Sequence, residues 1–323
     1  MAHVHDHDEH DHGHEHGGRD HSHGPGGGGH HHAPADMGRA FAIGVALNTV
    51  FVLVEAGAGL WTGSMALLAD AGHNLSDVLA LLLAWGATVL AKRAPSGRRT
   101  YGLRKATILA SLANAVLLLL AAGAIVSESI HRLLDPAPVD NLLVMATAGV
   151  GVVINTATAL LFMRGHGDLN VRGAFLHMAA DAAVSMAVVV GAAVMALTGL
   201  LWIDPALGLT VAGVIVLGTW SLLRDSIDLA MDAAPRGVDV AAVRDWLAGL
   251  PGVEEIHDLH IWAMSTTETA LTAHIIRPRQ DDADHFLHEA CEGLAMRFNI
   301  GHATLQVERD GAHACRLSPL EAV

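Results

Sequence analysis

Six apolar runs dominate the chain, at residues 40–61, 64–91, 106–130, 141–163, 173–200 and 203–223. About 20 such residues suffice for a helix to cross the hydrocarbon core of a bilayer, and a helix satisfies its own backbone N–H and C=O groups there. With 52% hydrophobic and 16% charged residues, the chain is expected to be an α-helical membrane protein with six transmembrane helices, the lipid bilayer being its first partner. Two cysteines, Cys291 and Cys315, are too few for a disulfide scaffold and read as free thiols in a reducing compartment. A net charge of −14 argues against a nucleic-acid partner, which would call for a basic surface. The phosphate-cradling pattern GxxxxGK[ST] is absent, so no nucleotide partner is expected.

Two of the runs carry the same polar spacing: His73 and Asp77 in the second, His177 and Asp181 in the fifth. On a helix, residues i and i+4 share a face, so each helix presents an imidazole one turn from a carboxylate. Side by side, the two helices supply two nitrogen and two oxygen ligands, a set suited to a tetrahedral divalent cation such as zinc. An Asp at the centre of a membrane helix costs roughly 2.5–3.5 kcal/mol on insertion scales, so these carboxylates require a metal or protons as partners. Metal and H+ then compete for the same side chains, which is the chemistry of an exchanger. Asp70, one turn before His73, is expected near the membrane interface as an entry or proton-relay group, or solvated. Asn48, Glu55, Asn114, Glu128, Asn155, Ser185 and Asp204 interrupt the other apolar stretches and are expected in interhelical hydrogen bonds or at the interface.

Residues 1–36 form an N-terminal tail that is expected to be disordered. Its first 32 residues hold 12 of the 23 histidines, among them His3, His5, His7, His10, His12, His14 and His16, and too few apolar residues to fold. Such tracts capture zinc, nickel, copper or cobalt weakly at many positions. Lys92, Arg93, Arg98, Arg99, Arg104 and Lys105 lie between the second and third runs, and Arg164 and Arg172 between the fourth and fifth, against Arg132 on the opposite side. By the positive-inside rule both termini are cytoplasmic. Seventeen Arg against two Lys suggest a GC-rich bacterial genome, and so a bacterial inner membrane.

Residues 37–223 constitute the transmembrane domain in this reading, and residues 224–310 a cytoplasmic domain of order α-β-β-α-β, followed by a tail at 311–323. Helical periodicity covers 239–250 and 283–298, and alternation marks strands at 253–264, 267–277 and 302–309. Strict alternation points His257, Leu259 and Ile261 toward the helices and Asp258, His260 and Trp262 away. On that count His260, His274, His302 and Glu308 share the open sheet face, a candidate regulatory zinc site with help from His285 or His288. His313 and Cys315 form only a weak HxC pair.

The segments ADAGHNLSD at 69–77, RRTYGLRKATILASLAN at 98–114, HMAADAAVS at 177–185, IDPALGL at 203–209 and GVEEIHDLHIWAMS at 252–265 resemble the cation diffusion facilitator family, in its zinc-exporting branch. The resemblance runs from about residue 37 to 309. It implies a homodimer joined through a ferredoxin-like, metallochaperone-like cytoplasmic domain, working as a proton-coupled antiporter that exports zinc, with His73, Asp77, His177 and Asp181 as ligands. Residues 92–105 contain no His, Asp, Glu or Cys, so the further loop zinc site of some relatives is not expected, and Thr107 stands where many relatives have an acid. A non-transporting metal sensor or zinc buffer is the alternative. An enzyme is not expected: neither HExxH nor paired ExxH motifs occur in the membrane runs.

Overall fold

The computed structural model describes residues 39–163, 169–278 and 282–309. Six long helices come first: α1 (Arg39–Thr62), α2 (Met65–Ala91), α3 (Ala106–Leu134), α4 (Asn141–Met163), α5 (Leu169–Thr198) and α6 (Ile203–Ala230). Five of them, α2 to α6, are long and apolar enough to cross a membrane. Their outward side chains are apolar, as Leu120, Leu142, Val153, Leu217 and Trp220 illustrate, whereas Asp70, Asn74, Asn114, Asp181, Ser185 and Asp204 are buried. This inversion of the soluble-protein pattern is what a lipid solvent demands, since polar groups find partners only between helices.

The start of α2 shows how that demand is met. Ser64 caps the helix by accepting a hydrogen bond from the Leu67 N–H at 3.1 Å. Asp204, in the first turn of α6, accepts from the Met65 N–H at 2.5 Å, the Ala66 N–H at 3.3 Å and the Ser64 hydroxyl. A carboxylate from one helix thus satisfies the free N–H groups of another, where water would otherwise be needed. The approach requires Gly208, because a Cβ there would lie 2.9 Å from Met65 Cβ and 3.0 Å from its carbonyl carbon and oxygen. Beside this crossing, Ala66, Leu67, Val144, Ala148, Val188, Ala192 and Met195 close one end of the α2–α4–α5 interface as an apolar cluster.

Two helices run several residues past the end of their apolar sequence. The third ends at Leu134 and the sixth at Ala230, beyond the hydrophobic limits at 130 and 223. Helical hydrogen bonds propagate through the polar residues Arg224, Asp225 and Asp228; hydropathy marks where lipid ends, not where the helix does.

The C-terminal domain contains α7 (Val240–Ala248), β1 (Glu255–Ala263), β2 (Thr269–Ile276), α8 (Ala283–Phe298) and β3 (His302–Glu308). The sheet order is β1-β2-β3, with the first pair antiparallel and the second parallel. A parallel pair needs a crossover, which α8 provides. Val243 and Leu247 of α7, Phe286 and Leu294 of α8, and Ile256, Ile261, Leu271, Ala273 and Ile275 of the sheet form the core. Asp239 caps α7 through the N–H groups of Ala241 and Ala242, and Asn299, at φ 55°, ends α8 in the left-handed region. The domain meets the membrane helices where Lys105 pairs with Asp232 at 2.5 Å, Arg104 pairs with Glu268 at 3.0 Å, and the Thr266 N–H donates to Thr107 Oγ1 at 3.1 Å. A hydroxyl therefore makes an interdomain contact at position 107.

Replacing Gly208 by Val should lower the thermal midpoint in detergent, since overpacking against a backbone carbonyl costs about 1–3 kcal/mol. Gly213→Ala, where nothing lies within 4 Å of a new Cβ, is the control and should leave the midpoint in place.

Candidate metal centre

The helices α2 and α5 run antiparallel, and their polar side chains pair crosswise. His73 Nε2 lies 3.1 Å from Asp181 Oδ1, and His177 Nε2 lies 3.1 Å from Asp77 Oδ2 and 3.7 Å from Asp181 Oδ2. The two imidazole rings meet edge to face, with centroids 6.1 Å apart. Ligand atoms of His73, Asp77 and Asp181 all fall within 4.8 Å of one another. The i, i+4 spacing places each His and Asp one turn apart, and antiparallel packing sets each imidazole against the other helix's carboxylate. Four donors that sequence spacing singled out are thus in one place, and the nitrogen and oxygen donor set suits a divalent cation.

Access to this group is one-sided. The side chains of Asp77 and His177 are 25% and 34% exposed, whereas that of Asp181 is 2% exposed. Asp77 and His177 lie toward the end at which α2 finishes and α5 begins, which is also the end where α6 leads into the C-terminal domain. Toward the other end lie buried Asp70 and Ser185, then the apolar cluster of Leu67, Val188 and Met195.

Asp70 is corrected here. It is not solvated: it is fully buried, and its Oδ2 accepts from Ser185 Oγ at 2.7 Å. Glu55 of α1 is equally buried and accepts from Asn74 Nδ2 at 3.0 Å. Glu55, Ser185 and Asp204 do form interhelical hydrogen bonds, whereas Glu128 pairs within its own helix with Arg132 at 3.2 Å. Among buried groups that the sequence left to structural roles, Glu55 and Ser185 are placed beside the candidate centre.

The C-terminal domain brings together a different set from the one alternation selects. Ligand atoms of His257, His274 and Glu308 lie within 4.8 Å of one another. His274 Nδ1 is 3.1 Å from Glu308 Oε1, and His257 Nε2 is 3.6 Å from Glu308 Oε2. His257 Nδ1 is buried with no hydrogen-bond partner among the described residues, and the other two buried nitrogens, His257 Nε2 and His274 Nδ1, have only the Glu308 carboxylate beside them. The cause is a β-bulge: His257 pairs with His274 and His260 with Thr272, so two residues of β1 face one of β2. Asp258 adopts φ 50° there, and His257 turns onto the open face instead of the helix-packed one.

Other expected members of this set lie elsewhere. His302 pairs with Ala270 at the far end of β3 from Glu308 and packs edge-on against Tyr101 at 5.5 Å; six residues of strand, about 20 Å, separate it from the cluster. His285 and His288, 70% and 79% exposed on α8, face their own Glu289 and Glu292. His260 bonds Asp258 at 2.8 Å, beside the cluster, and Asp258 is 3.6 Å from His274. An Asp in mid-strand, where that residue is disfavoured, is the one sequence signal of the bulge. The N-terminal histidines from His3 to His16, His313 and Cys315 lie outside the described residues.

The cation efflux transmembrane domain family matches residues 41–229, and the cytoplasmic domain family of cation efflux proteins matches residues 235–310. The chain is 34% identical to the metal cation efflux system protein CzcD of Cupriavidus metallidurans, over 84% of this chain and 86% of that protein. It is 35% identical to the zinc transporter ZitB of Escherichia coli, over 86% and 90%. A cadmium, cobalt and zinc/H(+)-K(+) antiporter of Bacillus subtilis is 31% identical over 84% and 89%. A solved structure of the metal-bound C-terminal domain of the CzcD transporter aligns with 22% of this chain and 99% of its own at 38% identity; its TM-score, 0.21, is too low to bear on the fold.

The one-sided access has a direct check. In a chain whose native cysteines are Ser, Asp77→Cys should react readily with a hydrophilic maleimide in detergent, and Ser185→Cys should react far more slowly. Equal labelling would mean that the bundle is open from both ends.

Proposed function

Because the chain belongs to the cation efflux family, we propose that it exports zinc from the cytoplasm in exchange for protons, through His73, Asp77, His177 and Asp181. The observation that supports this reading most is the crossed pairing of two imidazoles with two carboxylates on antiparallel α2 and α5. With protons aboard, each histidinium offsets the aspartate it faces. Zinc replaces them, leaving neutral imidazoles and two carboxylates that balance its charge. Imidazole changes charge near neutral pH, so a modest pH difference across the membrane biases the competition. The access side, next to the C-terminal domain, is then the cytoplasmic one: zinc enters there, the apolar cluster at the other end parts as the bundle rocks, and outside protons displace the ion.

This assignment puts both termini in the cytoplasm, in keeping with the basic loops at 92–105 and 164–172. The His-rich tail, residues 1–36, captures metal weakly at many positions. Residues 37–223 carry the ion, and residues 224–310 join two copies into a homodimer. The cluster of His257, His274 and Glu308 fits a regulatory zinc, since its buried ring nitrogens converge with a carboxylate that brings a compensating charge and His257 Nδ1 is otherwise unsatisfied. A zinc held there would tie the three strands together, and His260 and Asp258 would support it from the adjoining bulge.

Zinc flux into liposomes under an imposed pH gradient tests the exchange: the native chain should carry zinc only with the gradient, and Asp181→Ala should carry none. Zinc that binds but does not move under any gradient would favour a sensor or buffer, and flux that survives the substitution would put the ion elsewhere. For the second cluster, His274→Ala should lower the zinc stoichiometry of the full chain in equilibrium dialysis. His285→Ala with His288→Ala should leave it unchanged.

A further inference from the structure

The basic loop between α2 and α3 divides into two parts. Arg104 and Lys105 are paired, with Glu268 and Asp232. Lys92, Arg93, Arg98 and Arg99 are exposed, and none of them has a carboxylate partner among the described residues. Cations this close in the chain repel one another and gain from an anion set among them. The loop is also held in shape. Ser96 and Arg99 exchange backbone hydrogen bonds at 3.1 and 2.9 Å, and the Gly102 N–H donates to the Arg99 carbonyl at 2.9 Å. Gly102 adopts φ 72°, and a Cβ there would lie 3.0 Å from the Arg93 carbonyl oxygen, so residues 94–101 leave the end of α2 and return to it. A closed loop of this length carries its tip no more than about four residues, roughly 13 Å, from the helix end.

The helix from which the loop projects decides what these cations face. Leu82, Trp85, Val89 and Lys92 recur along α2 at intervals of three, four and three residues, so they share one face, and all are exposed. In a helix that crosses the bilayer, Leu82 and Val89 lie against lipid chains, and Trp85 belongs near the headgroup boundary. Lys92, two turns beyond Trp85, continues that lipid-facing stripe into the headgroup layer. We propose that Lys92, Arg93, Arg98 and Arg99 form a binding surface for the headgroups of anionic phospholipids around the α2–α3 loop. Each guanidinium offers paired N–H donors to phosphate oxygens, and the ammonium adds a point charge. Such a set prefers a headgroup with net negative charge over a zwitterionic one, whose own cation offsets its phosphate. A headgroup bound there ties the front of the loop to the membrane, while the rear of the loop, through Arg104 and Lys105, holds the C-terminal domain. The surface needs only a membrane, so it stands or falls independently of the zinc exchange.

Lipid titration of the zinc-free full-length chain in detergent, followed by native mass spectrometry, tests this surface. Near an anionic surface each Lys or Arg is worth roughly a fivefold change in binding, so phosphatidylglycerol should bind at least about twentyfold more tightly than phosphatidylcholine of the same chain length. Lys92→Gln with Arg93→Gln, and Arg98→Gln with Arg99→Gln, should each lower that preference at least about fivefold, and the quadruple variant should abolish it. Arg132→Gln, at the opposite end of the bundle and paired with Glu128, should keep it in full. Equal binding of the two lipids by the native chain, or a preference that survives the quadruple variant, overturns the proposal. Displacement of bound phosphatidylglycerol by millimolar glycerol 3-phosphate would make this a site for soluble phosphates and overturns it too. The native chain supplies a check that needs no variant. Raising ammonium acetate from about 50 to about 500 mM should reduce the preference, because salt screens exposed charges. A preference indifferent to salt would place the lipid on the apolar stripe alone, against the proposal.

Discussion

Charge inside hydrocarbon has to be matched by charge or hydrogen bonds from another helix, and the membrane part of this protein is arranged around that requirement. His73 with Asp181 and His177 with Asp77 are the central instance: neither helix neutralises its own carboxylate fully, so each depends on the other. Such mutual dependence fixes the register of α2 against α5. It also leaves four donors converging at one place.

The surrounding contacts serve the same requirement at different depths. At one end Asp204 supplies α2 with the acceptor that its first N–H groups lack. Between that cap and the candidate centre sit Glu55 and Asp70, each with one oxygen satisfied and one not. At the other end the polar side chains are exposed and the basic loop at 92–105 makes contact with the C-terminal domain through Arg104 and Lys105. These ion pairs lie in water, where each contributes about 0–1 kcal/mol, so they orient the two parts more than they bind them. Polarity thus falls from the open end inward, and the apolar cluster completes the closure.

In the C-terminal domain a single extra residue decides the chemistry. Without the bulge at Asp258, His257 would pack against α7 and α8, and His274 and Glu308 would lack their third donor. The bulge moves one imidazole across the sheet and leaves Ile261 in the core, since alternation resumes beyond it. A local irregularity can therefore build a ligand set that a regular strand forbids.

The sequence by itself determined the six helices and the α-β-β-α-β order, and its spacing singled out the four polar residues of the candidate membrane centre. These follow from hydropathy, from periods of 3.6 and 2, and from an i, i+4 spacing, all of which are local. Tertiary structure alone decided which His faces which Asp, that Asp70 is sealed against Ser185, and that His257 replaces His302 in the second cluster. Glu55 and its donor Asn74 are 19 residues apart on different helices, and no spacing rule joins them; only the packing of α1 on α2 does. For His257 the missing information was one left-handed residue. Strand alternation is a relative count, so a single bulge inverts everything on one side of it while leaving the pattern of apolar residues almost unchanged.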